Sequence, residues 1–373
     1  MAQTGRITGD PDQPHTLVVV FLRGGADGLN MVAPVEDDAY YRLRPRIAIP
    51  KDQALPLDGF FRLNPRLAKL LELYANGALA IVHGAGSEDT SRSHFEAQDF
   101  MEHGGVVAGG WVGRYLRARP SAGAAPLAAV HIGKTQPESL RGAPAAVAME
   151  SFEVFSFGDR AENFLTQLAA LYRHETDLLG GAGAQMLSAL DKIRALRDAD
   201  YRPEHGATYP QRPFARGLRQ IAQLIKARVG LETASIDLGG WDSHFGAASI
   251  MDPLLDQLSE GLAAFCQDLG SRMDNVTVVA MSEFGRRAYE NASGGTDHGR
   301  GGVMFVLGGG VRGGRVLCTW PGLDGDKLEG PGDLPVLHNY RNVLASILTR
   351  HGGVENLNRV FPDFDLAPLD LYA

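Results

Sequence analysis

Four segments of the chain place metal-binding or acid–base side chains directly after short apolar runs. Each of these runs predicts a buried strand. The candidate metal ligands in the four segments are Asp27, Asp237, Asp242, His244, Glu283 and His298. Carboxylate and imidazole groups together are ligands for divalent ions such as Zn²⁺, Mn²⁺, Mg²⁺ or Ca²⁺. The pattern therefore predicts a divalent metal site, without identifying the metal.

The most informative segment is Asp-Leu-Gly-Gly-Trp-Asp-Ser-His at 237–244, just past a predicted strand. Its two adjacent glycines permit unusual backbone angles and hence a tight turn. We interpret Asp237 or Asp242, together with His244, as ligands of one metal ion. The alternative is an Asx turn with a hydrogen-bonded histidine.

Each remaining candidate ligand also has an ordinary structural explanation. His298 lies in a glycine-rich loop before a strand, where it is either a ligand or acid, or a loop histidine bonded to backbone carbonyls. Glu283 is either a ligand or the ion-pair partner of Arg286 or Arg287. Asp27 is either a ligand or a turn aspartate.

The segment 87–94 resembles the N-terminus of a helix, where backbone N–H groups favour an anion. Arg92 could add a bidentate contact to phosphate or sulfate. A hydroxyl there, from Thr90, Ser91 or Ser93, is a candidate nucleophile activated by a metal ion. The alternative is a serine or threonine that only caps the helix.

Alternation of apolar runs with amphipathic helical patterns predicts a doubly wound, mostly parallel α/β sheet. The predicted strands are 16–22, 79–82, 127–132, 231–236, 276–281 and 303–307, and the predicted helices are 64–76, 214–227, 252–269 and 340–351. Because ligands in such sheets bind beyond the carboxyl ends of the strands, the candidate residues are expected at one edge.

We expect residues 1–373 to form a single domain. The segment 134–212 differs in character, with helical patterns around Phe164, Leu168 and Leu171 and a polar tail. We interpret it as a helical insertion that packs over the sheet and could act as a lid. An ordinary pair of crossover helices explains the same pattern.

Composition excludes several classes of protein. Hydrophobic residues make up 44% of the 373 residues, which suits a large core and excludes wholesale disorder. The formal net charge is -8, whereas nucleic-acid binders usually carry a basic excess. No apolar run is long enough for a membrane span. Residues 1–14 show no targeting segment, so we expect a cytoplasmic protein or one whose signal was removed.

Five segments, at 21–30, 91–99, 237–244, 281–286 and 295–299, resemble the bacterial family called domain of unknown function 1501. That family is grouped with the alkaline phosphatase and sulfatase superfamily, which implies an alkaline-phosphatase-like fold. Members are commonly exported by the twin-arginine route, which implies a periplasmic or secreted location as the alternative to the cytoplasm.

The resemblance implies roles for individual residues. It matches Asp27 to the aspartate after the first strand, and Ser91 or Ser93 to the nucleophile. It also matches Asp237, Asp242, His244, Glu283 and His298 to metal ligands. The sulfatase cysteine is absent, which argues against a formylglycine enzyme. Phe284 stands where a superfamily histidine is usual.

Together these features predict a metal-dependent hydrolase of phosphate or sulfate esters, acting on a small-molecule or polymer substrate. A non-catalytic binding or assembly protein on a degenerate hydrolase scaffold is the main alternative, favoured by the phenylalanine at 284. A metal-dependent mutase or phosphotransferase is a third possibility with the same centre.

Overall fold

The structure is a computed structural model that describes residues 15–119, 125–152 and 178–372. The first 14 residues and the helical pattern around Phe164, Leu168 and Leu171 lie outside the described residues.

The described strands form one large sheet and one small sheet. In chain order they are β1 (Thr16–Arg23), β2 (Val32–Ala33), β3 (Leu55–Pro56), β4 (Arg62–Leu63), β5 (Leu79–Gly86), β6 (Ala129–Ile132), β7 (Ala146–Met149), β8 (Thr233–Gly239), β9 (Val276–Met281), β10 (Gly302–Gly308), β11 (Arg315–Leu317) and β12 (His338–Asn339). The large sheet has the order β11-β5-β10-β9-β1-β8-β6-β7, and β12 also pairs with β5. Strands β2, β4 and β3 form the small antiparallel sheet.

The large sheet is parallel except at β10, which runs antiparallel to both of its neighbours, β5 and β9. The other pairs, including β1 with β8 and β9, are parallel. The predicted fold class, a doubly wound and mostly parallel α/β sheet, is confirmed. The antiparallel β10 matters for the site, because this strand begins at the edge where its neighbours end.

Helices cover both faces of the sheet. They are α1 (Gly28–Met31), α2 (Asp38–Leu43), α3 (Ala68–Ala75), α4 (His94–His103), α5 (Trp111–Ala118), α6 (Leu178–Asp198), α7 (Pro213–Lys226), α8 (Ala247–Leu269) and α9 (Tyr340–His351). Residues from α3, α6, α7 and α8 pack on one face, and residues from α4, α5 and α9 pack on the other.

Strand β1 shows why a continuous apolar run predicts a strand buried on both faces. Side chains alternate along a strand, so Val18, Val20 and Leu22 join one core cluster. Leu17, Val19 and Phe21 join the cluster on the opposite face. The strand is therefore buried on both faces. Burial on both faces is typical of parallel sheets.

The segment 134–212 contributes a strand to the large sheet as well as a helix. Within it, β7 pairs with β6 at the end of the sheet, and α6 packs against the core. A lid function for this segment stays a prediction. In the described parts of the chain, no helix combines the length and apolar character needed to cross a membrane.

The buried histidine His83 on β5 predicts how the stability of the protein depends on pH. Its side chain is fully buried, and its Nε2–H donates to the Val32 carbonyl at 3.0 Å. Burial lowers the pKa of His83 to about 4, from an ordinary value of 6.5. The unfolded chain therefore protonates His83 more readily than the folded protein does. The contribution of His83 to stability is fully present above pH 6.5. We expect the contribution of His83 to stability to fall by about 1.4 kcal/mol per pH unit from pH 6.5 towards pH 4.

Urea unfolding at several pH values between 7 and 4.5 measures this slope, with His83→Gln as the comparison. The glutamine variant should lose less free energy of unfolding over that interval. Identical slopes for the two proteins would show that His83 is not the group responsible.

Candidate metal centre

Three side chains from distant parts of the chain meet at one edge of the large sheet. His94 is the first residue of α4 and follows β5, Asp242 follows β8, and His298 lies between β9 and β10. Their ligand atoms all lie within 4.8 Å of one another. They meet because β5, β8 and β9 end at the edge where the antiparallel β10 begins.

The carboxylate of Asp242 is the centre of the cluster. Its Oδ1 lies 3.4 Å from Nε2 of His94, 3.1 Å from Nε2 of His244 and 3.2 Å from Nε2 of His298. The Nε2 atoms of His244 and His298 are 2.9 Å apart. Four potential ligand atoms thus surround a small volume.

The other ring nitrogen of each histidine faces an oxygen that only accepts hydrogen bonds. Nδ1 of His94 is 2.8 Å from Glu283 Oε1, and Nδ1 of His298 is 2.7 Å from the Arg92 carbonyl. Nδ1 of His244 is 3.3 Å from Asp297 Oδ1. These acceptors assign the ring proton to Nδ1 in the neutral histidines. Each Nε2 then presents a lone pair towards Asp242.

This convergence of lone pairs on a carboxylate fits a cation. A tetrahedral Zn²⁺ holds its ligand atoms at about 2.0–2.1 Å, which sets those atoms about 3.3 Å apart. The separations from Asp242 match that spacing. Nε2 of His94 is buried and has no hydrogen-bond partner among the described residues. Donation of Nδ1–H to a carboxylate or carbonyl is the usual arrangement of a metal-binding histidine.

Arg286 fixes the position of Asp242. Its fully buried guanidinium donates to Asp242 Oδ1 at 2.7 Å and to the carbonyls of Gly25 and Thr296. Burial alone would raise the pKa of Asp242, but the guanidinium of Arg286 lowers that pKa to about 2. The carboxylate therefore stays ionised at neutral pH and remains available to a cation.

Glu283 lies behind His94, in contact with its Nδ1. It is almost completely buried, and its Oε1 accepts from the backbone N–H of Gly24 at 2.8 Å and from Gln98 Nε2 at 2.9 Å. Ser282 Oγ donates to Oε2 at 3.0 Å. These contacts hold the carboxylate of Glu283, a metal ligand in the prediction from sequence, against Nδ1 of His94.

We predict that Glu283→Gln lowers metal affinity by about 10- to 100-fold while the fold is retained. Glutamine is similar in shape, but its neutral oxygen holds the His94 Nδ1–H less strongly than a carboxylate does. Titration of the metal-free protein with Zn²⁺ measures the change. Glu138→Gln is the matched control, because Glu138 faces His103 at 3.4 Å. Equal affinities for wild type and Glu283→Gln would contradict the prediction.

Two predicted ligands lie in ion pairs with arginine and outside the cluster around Asp242. Asp27 is fully buried, with Oδ2 2.7 Å from Nη1 of the equally buried Arg44. Its Oδ1 has no hydrogen-bond partner among the described residues. Asp237 accepts from Arg23 Nε at 2.6 Å. The structure therefore brings Asp242, His244 and His298 together, and neither Asp27 nor Asp237 belongs to the group of ligand atoms described above.

The candidate nucleophiles lie on the segment that leads into α4. Ser91 is exposed and its Oγ donates to Asp89 Oδ2 at 2.8 Å. Ser93 is the N-cap of α4, where its Oγ accepts from the Glu96 N–H at 3.5 Å. Two groups of this segment belong to or contact the cluster. They are the imidazole ring of His94 and the carbonyl of Arg92, which accepts from His298 Nδ1.

The guanidinium of Arg92 is engaged with a protein carboxylate. It forms an ion pair with the buried Asp333, so an anion would have to compete with that contact. Arg92 also has a φ of 55°, an uncommon conformation for a residue other than glycine. A strained residue next to the cluster is typical of functional sites.

His94 is not among the ligands predicted from the sequence. Its signal is its place at a predicted helix start directly after a strand, in the segment that is predicted to supply the nucleophile. Asp297, which faces His244 and accepts from Asn291 Nδ2 at 3.2 Å, is also absent from those ligands. Phe284, which the resemblance marks as a departure from the superfamily, stacks on His94 with ring centroids 4.9 Å apart.

Three solved structures have a distant likeness to this chain. The C-terminal periplasmic domain of EcEptC from Escherichia coli, in complex with Zn, is 10% identical, with a TM-score of 0.38 over 80% of this chain and 73% of that one. Ps i-CgsB in complex with k-i-k-neocarrahexaose is 10% identical, with a TM-score of 0.35 over 93% and 74%. BT1596, a 2-O GAG sulfatase, is 11% identical, with a TM-score of 0.32 over 92% and 72%.

The sequence itself matches a protein family over most of its length. No curated protein matches it significantly. The family model described as "Protein of unknown function (DUF1501)" matches residues 91–359, a range that includes His94, Asp242, His244 and His298. This chain therefore belongs to the DUF1501 family, as the motifs in its sequence predict.

Proposed function

We propose that this protein is a metal-dependent hydrolase of phosphate or sulfate esters. In this proposal His94, Asp242 and His298 hold a divalent ion, and His244 lies beside them as a further ligand. The observation that carries the proposal is the convergence of three imidazole Nε2 atoms on one carboxylate oxygen. Without a cation or additional protons, these groups would repel one another.

The donor set favours some metals over others. Three imidazoles and one carboxylate suit Zn²⁺ or Mn²⁺, whereas Mg²⁺ and Ca²⁺ prefer oxygen ligands. Asp27 and Asp237 lie outside the group of ligand atoms around Asp242, and the described residues contain one such group. We therefore expect one bound ion per chain.

Ser91 is the better candidate for the nucleophile. Its Oγ is exposed and donates to Asp89, a carboxylate within reach to accept the proton as the ester is attacked. Ser93 instead caps α4. When bound, a divalent ion lowers the pKa of a hydroxyl nucleophile and offsets negative charge in the transition state.

Elemental analysis of the purified protein, followed by turnover assays, tests the proposal. We expect about one Zn²⁺ or Mn²⁺ per chain and hydrolysis of 4-nitrophenyl phosphate or 4-nitrophenyl sulfate that a chelator abolishes. Ser91→Ala should lower kcat by at least about 100-fold, and Ser93→Ala should mainly lower stability, by about 1 kcal/mol.

The possible outcomes separate the alternatives. Absence of metal together with insensitivity to chelators would overturn the proposal. Bound metal without turnover of either ester would instead favour a binding or assembly role on the same scaffold. Equal losses of kcat in the two serine variants would leave Ser91 without a special role.

A further inference from the structure

The backbone carbonyl of Arg92 is the hydrogen-bond acceptor for one histidine of the metal cluster. Nδ1 of His298 donates to this carbonyl at 2.7 Å, the shortest of the contacts that the cluster histidines make through Nδ1. With its proton on Nδ1, His298 presents the lone pair of Nε2 towards Asp242. The ability of His298 to bind a metal ion therefore depends on where the Arg92 carbonyl points.

The direction of this carbonyl is set by an uncommon backbone conformation. Arg92 has a φ of 55°, in the left-handed region, whereas Ser93 after it is extended, with a φ of -90° and a ψ of 125°. Residues with a Cβ atom are disfavoured in the left-handed region, which glycine adopts without steric cost. An interaction from outside the segment must therefore hold Arg92 in this conformation.

The side chain of Arg92 is anchored to a carboxylate from a distant part of the chain. Its Nη2 donates to Oδ2 of Asp333, whose side chain is fully buried. Residues 329–333 form a tight turn, in which the N–H of Asp333 donates to the Glu329 carbonyl at 2.8 Å and the reverse bond measures 2.9 Å. Gly330 lies against the ion pair, since a Cβ atom there would be 3.2 Å from Nη2 of Arg92. The anchor is therefore a closely packed, hydrogen-bonded turn.

The same turn is bonded to the loop that carries His298, on both sides of that histidine. Before it in the chain, the N–H of Ala288 donates to the carbonyl of Gly332 at 2.9 Å. After it, the N–H of Gly301 donates at 2.9 Å to the carbonyl of Leu334, the residue that follows the turn. One turn thus fixes the loop of the histidine and the side chain of the arginine whose carbonyl the histidine contacts.

We propose that Asp333 is a positioning residue for the metal site. Its carboxylate holds Arg92 in the left-handed conformation, and the Arg92 carbonyl then keeps the proton of His298 on Nδ1. The inference rests on the proposed function, and it adds to the site a residue that lies outside the group of ligand atoms. It also gives Arg92 a role that does not involve binding an anion.

Titration of the metal-free protein with Zn²⁺ tests the inference in three variants. Asp333→Asn keeps the shape of the side chain but removes its charge, and we expect about tenfold weaker Zn²⁺ binding. Arg92→Ala/Asp333→Asn removes the ion pair without leaving a charge buried, and should also bind about tenfold more weakly, because alanine is disfavoured in the left-handed region. Arg92→Gly/Asp333→Asn should bind within about threefold of the wild-type protein, because glycine adopts this conformation without an anchor.

The two double variants differ by one methyl group, so their comparison holds even if Asp333→Asn alone does not fold. Thermal unfolding reports the fold of each variant. Equal Zn²⁺ affinities of the two double variants would overturn the inference, since the backbone conformation of Arg92 would then not matter. Wild-type affinity in folded Asp333→Asn would overturn it as well.

Asp268→Asn is the matched control. Asp268 is also fully buried, and its carboxylate is bonded to Lys226 Nζ at 2.5 Å and to Tyr209 Oη at 2.9 Å near the end of α8. Its replacement should lower the Tm without changing the Zn²⁺ affinity. A loss of affinity equal to that of Asp333→Asn would show that lower stability alone weakens metal binding, and would overturn the inference.

Failure of the proposed function is distinguishable from failure of this inference. A wild-type protein that binds no Zn²⁺ would overturn both. Zn²⁺ binding without turnover of either ester would contradict the hydrolase alone. Normal metal binding and turnover with no effect of Asp333→Asn would contradict the positioning role alone.

Discussion

His298→Ala is expected to lower the affinity for a divalent metal ion by more than about 100-fold while the protein remains folded. The imidazole contacts Asp242 at 3.2 Å and His244 at 2.9 Å, so its removal takes one ligand from the middle of the cluster. About a fifth of its side chain is exposed, less than for His244 or Asp242. Metal content by elemental analysis and affinity by titration measure the loss, and thermal unfolding reports the fold.

His103→Ala is the control for this substitution. His103 is the last residue of α4, the helix that begins with His94, and its Nε2 lies 3.4 Å from Glu138. Its replacement should leave metal content unchanged. Equal loss of metal in the two variants would show that the site lies elsewhere.

Arg44→Met is expected to destabilise the protein by about 3–5 kcal/mol, the largest stability effect we predict. Its guanidinium is fully buried, and it donates to Asp27 Oδ2 and to the carbonyls of Ala288 and Arg287. Loss of Arg44 leaves the carboxylate of Asp27 buried without a countercharge. Urea unfolding measures the change in the free energy of unfolding.

The double variant Asp27→Leu/Arg44→Met should recover at least about half of that loss, because no unpaired charge remains. It should also retain its metal, since the carboxylate of Asp27 is neutralised by Arg44. Loss of metal from this folded double variant would instead support Asp27 as a ligand. Arg42→Met, which removes an exposed ion pair with Asp324, should change stability by less than about 1 kcal/mol.

The expectation of a six-ligand metal site depended on residue types at strand ends. Asp242, His244 and His298 meet at one edge of the sheet, because the carboxyl ends of parallel strands lie together there. The residue types did not show which carboxylates also face imidazole nitrogens. Asp27 and Asp242 look alike in the sequence, yet Asp27 is enclosed with Arg44 and Asp242 faces three imidazoles.

The amino-acid sequence alone determines the fold class and the family of this protein. Strands buried on both faces require continuous apolar runs, and such runs are visible locally. Tertiary structure alone decided that β10 runs antiparallel, that His94 joins the cluster, and that Glu283 contacts Nδ1 of His94. These outcomes depend on which strands pair and on which side chains meet across more than 100 residues of chain. Neither property has a local signature in the sequence.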